Sequence, residues 1–186
     1  MLSVVITTLD SERPLVATLA ALVPGAVEGL ISEVLVADGG SRDDTTAVAE
    51  VAGCKVMVVT GTPGRRLGAA ATAARTPWLL FLRPGTILDA GWISEARRFM
   101  EESAIDRRAA AFRRVAPRTA LREALLMIAD ALVIRVRPEQ GLLIAKKFYH
   151  ELGGHFEAAS DPETDLIRRI GRRRIMTLPS SARTAR

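Results

Sequence analysis

Acidic residues follow two apolar segments near the start of the chain, and their types suit ligand binding. Asp10 ends the segment that begins at Ser3, with Glu12 close behind it, and Asp38 ends the segment that begins at Glu33. In a parallel sheet, ligands bind beyond the carboxyl ends of the strands. Because carboxylates accept hydrogen bonds, Asp10 and Asp38 predict a site for ribose hydroxyls or base N–H groups at that edge.

Strand and helix patterns alternate through the first hundred residues. Ser41 and Asp44 have the spacing of a capping box at a helix start, and Pro24-Gly25 is expected to close the helix before it. This order predicts an α/β fold with a mostly parallel sheet and helices on both faces. The predicted strands cover 3–9, 33–37, 55–60 and 78–82, and the helices cover about 13–23, about 42–52 and a segment that starts near Arg65.

The second half of the chain is less regular. Its predicted helices cover about 90–102, 119–136 and 162–171, and its predicted strands cover 109–115, 141–145 and 175–178. The helix over 119–136 is apolar around more than one stripe, as Leu126 and Met127 show. Its second face could pack in the core, against a homodimer partner or on a membrane surface, and these interpretations stay open.

Composition predicts a soluble single domain over residues 1–186. The chain is 48% hydrophobic and 25% charged, which excludes general disorder. Cys54 is the only cysteine, so no intrachain disulfide can form. With no secretory signal or membrane span in the sequence, we expect a cytoplasmic protein, with peripheral contact at the inner membrane face as an open hypothesis.

The net charge of +5 is concentrated in the second half of the chain. Residues 1–100 hold 9 basic and 10 acidic residues, whereas residues 101–186 hold 17 basic and 11 acidic ones. A basic surface attracts phosphates of nucleotides, lipid headgroups or nucleic acids. Nucleic acid is not favoured, because aromatic content is only 4% and no nucleic-acid-binding motif is visible. A solvated basic face remains the alternative.

Several motifs, taken in order, carry a family resemblance. They are Val-Val-Ile-Thr-Thr-Leu-Asp-Ser-Glu at 4–12, Val-Ala-Asp-Gly-Gly-Ser at 36–41, Leu-Leu-Phe-Leu-Arg-Pro-Gly-Thr at 79–86, Glu-Gln-Gly at 139–141, Glu-Leu-Gly-Gly-His-Phe at 151–156 and Pro-Glu-Thr-Asp-Leu-Ile-Arg-Arg at 162–169. Together they resemble family 2 glycosyltransferases of the Rossmann-like GT-A fold, most closely a short bacterial subgroup.

The resemblance implies transfer of a sugar from a nucleotide diphosphate sugar to an acceptor, with inversion at the anomeric carbon. It also implies a nucleotide-binding half over about 1–100 and an acceptor-side half over about 101–186. The sequence identifies neither the sugar nor the acceptor. The residues that fall at the family's nucleotide-binding positions are Thr7, Thr8, Asp10, Glu12, Asp38, Gly39 and Gly40.

The resemblance also assigns a catalytic carboxylate. Glu163 falls at the position of the general base, which takes the proton of the attacking acceptor hydroxyl, and Asp161 flanks it. Arg65 and Arg66 open a helix after a Gly/Pro loop, where guanidinium and backbone N–H groups could hold phosphate. A helix start with solvated arginines is the competing interpretation.

The chain departs from the family at the metal site. Family members hold Mg²⁺ or Mn²⁺ with an Asp-x-Asp element after the fourth strand, but Arg83-Pro84-Gly85 stands there. Neither Arg83 nor Gly85 supplies a carboxylate, and Asp89 lies out of register. We therefore predict no metal ligand in the chain and no certain cofactor, and hypothesise that Arg83 partly replaces the metal near the diphosphate.

Three other functions were weighed against glycosyl transfer. A non-catalytic nucleotide-sugar-binding or regulatory relative fits the missing metal motif equally well. A nucleotidyltransferase is not favoured, because Thr7-Thr8-Leu9-Asp10 replaces the glycine-rich basic loop expected after the first strand. A dehydrogenase is not favoured either, because no Gly-x-Gly-x-x-Gly follows a strand.

Overall fold

The computed structural model describes residues 1–103, 107–115 and 136–185. Eight strands, six helices and two short 3₁₀ turns make up this part of the chain. The strands are β1 (Leu2–Thr8), β2 (Ile31–Asp38), β3 (Lys55–Val58), β4 (Trp78–Leu82), β5 (Thr86–Leu88), β6 (Ala109–Arg114), β7 (Leu142–Ala145) and β8 (Ile175–Thr184). The helices are α1 (Glu12–Val27), α2 (Thr45–Val51), α3 (Pro63–Ala73), α4 (Trp92–Glu102), α5 (Lys146–Glu151) and α6 (Pro162–Ile170).

All eight strands form one sheet in the order β3-β2-β1-β4-β7-β6-β8-β5. Strands β3, β2, β1 and β4 run parallel to one another, and β7 is antiparallel to β4. Thr8 is paired with Asp38, and Ile6 with Leu82, so β1, β2 and β4 end at the same edge. The loops that follow these three strands therefore lie side by side.

Helices cover both faces of the sheet, as the sequence predicts. Along β1, Val4 and Ile6 pack into one core cluster with α1, α2 and α4, whereas Val5 packs into the other with α3, α5 and α6. This division follows from the two-residue period of a strand. Continuous apolar strands such as β4 are buried on both faces, which is typical of the centre of a parallel sheet.

Several element boundaries differ from the predictions. Helix α1 continues through Pro24 to Val27. Gly25 does not end the helix but lets it pack closely on the Trp92 ring, which a side chain at this position would strike. Helix α2 begins at Thr45 rather than near residue 42, and Ser41 is not its N-cap. The Ser41 hydroxyl instead donates to Asp38. Strand β3 ends at Val58, two residues earlier than predicted.

The largest differences lie at the far end of the sheet. Strand β8 extends to Thr184, and β5, which the sequence analysis missed, pairs with its last residues. A three-residue strand has too short a pattern to be recognised before its partner is known. The predicted helix over 119–136 lies outside the described residues except at its last position. Within the described ranges, no helix is long and apolar enough to cross a membrane.

Candidate functional site

A cavity of about 450 Å³ opens at the sheet edge where β1 and β4 end. It brings together predicted site residues from four separate parts of the chain: strand β1, helix α3, the turn after β4 and the start of α6. The predicted residues that line it are Thr7, Thr8, Arg66, Arg83, Asp161 and Glu163. Asp10, Glu12, Asp38, Gly39, Gly40 and Arg65 do not line it.

Asp38 is fully buried next to this cavity and is bonded to its own loop. Its Oδ2 accepts the backbone N–H groups of Gly40 and Ser41 at 2.8 and 2.7 Å. Its Oδ1 accepts the hydroxyls of Thr8 and Ser41. Burial alone would raise the pKa of Asp38, but these hydrogen bonds outweigh it and lower the pKa below its ordinary value. The carboxylate therefore fixes the loop after β2 instead of offering a free acceptor to the cavity.

The loop after β1 is fastened to the loop after β2 by further hydrogen bonds. The Asp10 backbone N–H donates to Ser41 Oγ at 2.9 Å, and Asp10 Oδ1 accepts the Arg42 backbone N–H at 2.7 Å. The Glu12 backbone N–H donates to Asp43 Oδ2 at 3.1 Å. Asp10 has a φ of 47°, a left-handed conformation that Asp tolerates better than most residues. The two loops thus form one preorganised wall.

Arg66 places a nearly buried guanidinium in the cavity. The residue is 8% exposed, and Nη1 donates to the Gly61 carbonyl at 2.8 Å. Its Nε is buried without a hydrogen-bond partner, and no carboxylate in the described ranges forms an ion pair with it. A Cβ at Gly39 would lie 2.8 Å from Nη1, so the backbone must approach the guanidinium closely here. Because buried charges are normally paired, an anion is expected beside Arg66.

The neighbouring Arg65 lies elsewhere. Its side chain is exposed on the outside of α3, and its backbone N–H donates to the Thr62 hydroxyl that caps the helix. The two arginines that the sequence analysis treated together therefore have different surroundings, because adjacent helix positions point about 100° apart.

Arg83 contacts three carboxylates. Its Nε and one Nη lie 2.6 and 2.5 Å from Glu163 Oε2, and its other Nη lies 3.2 Å from Glu139 Oε1. Asp161 Oδ1 lies 3.9 Å away. These carboxylates hold the pKa of Arg83 above its ordinary value despite burial. The sequence analysis quoted Glu139 within a motif but gave it no role. The neighbouring Gln140 side chain holds this segment, and with it Glu139, by donating a hydrogen bond to the Phe112 carbonyl at 2.6 Å.

Asp161 and Glu163 open helix α6 and differ in their surroundings. Asp161 is the N-cap, and its Oδ1 accepts the Thr164 backbone N–H at 3.2 Å. Burial of Asp161 is outweighed by this bond and by Arg83, so its pKa lies below the ordinary value. Glu163 is more deeply buried, and burial raises its pKa although Arg83 opposes the rise. A carboxylate with a raised pKa is a stronger proton acceptor, which suits a general base.

The residues after β4 do not fit a divalent metal. Gly85 has a φ of 90°, and its N–H donates to Thr18 Oγ1 at 2.8 Å and to the Pro14 carbonyl at 2.9 Å. Asp89 accepts bonds from the N–H and hydroxyl of Ser181 at 2.6 and 2.8 Å. No group of three or more His, Cys, Asp or Glu side chains in the described ranges could hold a metal ion. The Arg83 guanidinium instead lies among the carboxylates of Glu139, Asp161 and Glu163.

The histidine nearest the cavity is structural. His155 is 8% exposed, and Tyr149 Oη lies 3.0 Å from both its ring Nδ1 and its backbone N. Burial, helped by Arg169, lowers the pKa of His155 to about 3. The neutral ring packs edge-on against the buried Phe81 ring, with the ring centroids 4.8 Å apart.

Comparison with known proteins agrees with this architecture. Residues 3–150 match the family described as Glycosyl transferase family 2. No curated protein matches the chain at a significant level.

Solved structures with the same fold include two complexes of glucosyl-3-phosphoglycerate synthase from Mycobacterium tuberculosis. The complex with Mn²⁺, UDP and glucosyl-3-phosphoglycerate has a TM-score of 0.67 at 18% identity, over 100% of this chain and 73% of that chain. The complex with Mn²⁺ and UDP-glucose has a TM-score of 0.69 at 19% identity, over 100% of this chain and 72% of that chain.

A third similar structure is S. aureus TarS 1–349. Its TM-score is 0.75 at 18% identity, and the match covers 99% of this chain but 60% of that chain. At such identities the likeness shows the fold alone, and the predicted GT-A fold class is confirmed.

Proposed function

Because the chain belongs to glycosyl transferase family 2, we propose that it binds a nucleoside diphosphate sugar in the cavity and transfers the sugar to an acceptor hydroxyl with inversion. One observation carries the proposal. A buried, unpaired guanidinium, Arg66, lies in the same cavity as a carboxylate of raised pKa, Glu163. The first group suits a diphosphate, and the second suits an acceptor proton.

The diphosphate is proposed to lie between Arg66 and Arg83. Arg66 lines the cavity without a carboxylate partner in the described ranges, and Arg83 is 38% exposed, so we propose that both guanidinium groups donate to phosphate oxygens. Thr7 and Thr8 border the same space at the end of β1. The wall made by the loops after β1 and β2 is proposed to contact the nucleoside, with Asp10, Glu12, Gly39 and Gly40 in that wall. Asp38 acts through the loop that it fixes. The proposed donor is a uridine or guanosine diphosphate sugar.

Glu163 is proposed as the base. The acceptor oxygen attacks the anomeric carbon, its proton passes to the Glu163 carboxylate, and the bond from the anomeric carbon to the diphosphate oxygen breaks. The diphosphate leaves with the bonding electron pair, and positive charge near its oxygens stabilises it. Asp161 holds the start of α6 and so positions Glu163. Members of this family are expected to use Mg²⁺ or Mn²⁺ here, but the residues present do not fit one, so Arg66 and Arg83 supply the charge.

A second candidate function is nucleotide-sugar binding without catalysis. It is favoured by the ion pair of Glu163, whose Oε2 receives two contacts from Arg83 at 2.5 and 2.6 Å. Both contacts are to Oε2, and they stabilise the ionised carboxylate, so they weaken Glu163 as a proton acceptor. Nucleotide binding is common to both functions, and only turnover separates them.

Calorimetric titration with UDP, UDP-glucose and GDP tests the proposal. Arg66→Ala is expected to weaken binding about 10- to 100-fold, which corresponds to about 1.5–3 kcal/mol for a hydrogen bond to a charged group. Arg75→Ala is the matched control, because Arg75 is exposed and pairs with Glu33 at the opposite edge of the sheet. Absence of nucleotide binding, or equal affinity in Arg66→Ala and wild type, would contradict the proposal.

Transfer is tested with labelled UDP-glucose and phosphoglyceric acid as a trial acceptor. Phosphoglyceric acid is bound together with Mn²⁺ and UDP-glucose in a structure of the M. tuberculosis synthase. Labelled product from wild type and not from Glu163→Gln would favour the catalytic function. Tight binding with no turnover of any acceptor tried would favour the second candidate.

A further inference from the structure

Arg83 carries the only guanidinium in the described ranges that contacts Glu163, and it has donors left over. A guanidinium has five N–H groups in a planar fork. Two of the three nitrogens of Arg83 point to Glu163 Oε2, and the third donates to Glu139. The side chain is 38% exposed and lines the cavity, so the remaining N–H groups have access to a ligand there.

The charges around Arg83 do not balance. Three carboxylates, on Glu139, Asp161 and Glu163, share this one guanidinium, whereas Arg66 across the cavity has no carboxylate partner. A diphosphate that enters to reach Arg66 therefore competes with Glu163 for Arg83. The diphosphate and Glu163 then share one guanidinium, and the larger charge of the diphosphate pulls the guanidinium towards it.

We propose that a bound diphosphate draws Arg83 away from Glu163, so that binding of the donor itself frees the carboxylate that takes the acceptor proton. This inference rests on the proposed function and adds a coupling between its two halves. This coupling raises the proton affinity of Glu163 once the donor is bound, because the ion pair that opposes protonation is then lost. Glu163 then gains its full proton affinity only when a leaving group is bound.

The exchange has a measurable consequence for protons. When Arg83 turns away, Glu163 loses a cation and gains a neighbouring anion, and both changes raise its pKa. Glu139 and Asp161 also face this site and add to the rise, while Arg168 acts on Asp161 from α6. Nucleotide diphosphate binding must then be accompanied by proton uptake, up to about one proton per nucleotide, at a pH between the free and bound pKa values of Glu163. Above the bound pKa, Glu163 stays ionised and can act as the base.

Calorimetry with UDP in buffers of different ionisation enthalpy measures this uptake. UDP titrates its own phosphate, so the informative quantity is the difference between wild type and Glu163→Gln. We expect greater uptake in wild type than in Glu163→Gln, and a wild-type affinity that falls as pH rises. Arg83→Ala should reduce the extra uptake, because Glu163 is unpaired before the nucleotide arrives and only the neighbouring diphosphate then raises its pKa. Arg75→Ala should keep it.

The outcomes separate the inference from the proposed function. UDP binding with equal proton uptake in wild type and Glu163→Gln would overturn the inference and leave the proposed function standing. Absence of UDP and GDP binding would overturn both. If Arg83→Ala fails to fold, as shown by circular dichroism, the comparison of wild type with Glu163→Gln still decides the matter.

Discussion

Replacement of Asp38 should separate a structural carboxylate from a ligand-binding one. Asp38→Ala removes an acceptor of four hydrogen bonds and leaves two backbone N–H groups, at Gly40 and Ser41, without a partner. The Thr8 hydroxyl, which is 2% exposed, also loses its acceptor. Water can satisfy the N–H groups of exposed Gly40 and half-buried Ser41, whereas the buried Thr8 hydroxyl stays unsatisfied. A buried unsatisfied donor costs about 1–3 kcal/mol, and the charge-assisted bonds are also lost, so we expect a loss of about 2–4 kcal/mol in the free energy of unfolding.

Asp38→Asn is the matched variant. The amide oxygen can still accept the two backbone N–H groups, and the amide NH₂ can face the hydroxyls of Thr8 and Ser41, which rotate to accept. We expect this variant to lose about 1–2 kcal/mol, mainly because charge-assisted hydrogen bonds become neutral ones.

Urea denaturation followed by circular dichroism gives both values. The pKa of Asp38 is lowered in the folded state, so its contribution to stability is present above the unfolded pKa and is lost as pH falls through the folded pKa. Asp38→Asn should therefore lose part of the acid dependence of stability. If the free energy of unfolding of Asp38→Ala differs from that of wild type by less than about 1 kcal/mol, Asp38 does not hold this loop in place.

Three further changes have defined outcomes. UDP binding should persist in the presence of chelator and weaken in Arg83→Ala, whereas a strong Mn²⁺ requirement measured by calorimetry would refute the replacement of metal by Arg83. Gly64→Ala should lower the free energy of unfolding by about 1–3 kcal/mol, because the new Cβ would overlap the Phe156 carbonyl. Gly40→Ala is the control: its Cβ would meet no atom, so urea denaturation should show only the backbone strain of about 1 kcal/mol. Arg169→Ala should lower the unfolding free energy by about 2–4 kcal/mol, because the guanidinium donates to two backbone carbonyls and lies 4.0 Å from the Phe156 ring; unchanged thermal unfolding would contradict this.

The sequence predicts the centre of the fold well, because local patterns determine it. Strands β1, β2 and β4 are apolar runs that end in polar residues, and their parallel order follows from the helices between them. Pairings between distant segments could not be read in this way. Strand β5 has three residues and is defined by its pairing with β8 near the end of the chain.

The site is less predictable than the fold because its roles depend on loop geometry. Motif positions directed attention to Glu163 and Arg83, but no pattern revealed that they contact each other across 80 residues of sequence. The sequence also did not reveal the surroundings of Asp38. Its type and position suggested a ligand acceptor, but its carboxylate accepts hydrogen bonds from the loop after β2. Helical spacing could have separated the buried Arg66 from the exposed Arg65, since Arg66 shares a face with Ala70.

A crystal structure of the protein with UDP tests the central claim most directly. We expect the diphosphate in the cavity between the loop after β1 and the start of α6. A phosphate oxygen should lie within about 3.2 Å of a guanidinium nitrogen of Arg66, the range of a hydrogen bond. A nucleotide bound elsewhere, or bound in the cavity without contact to Arg66, would contradict the proposal.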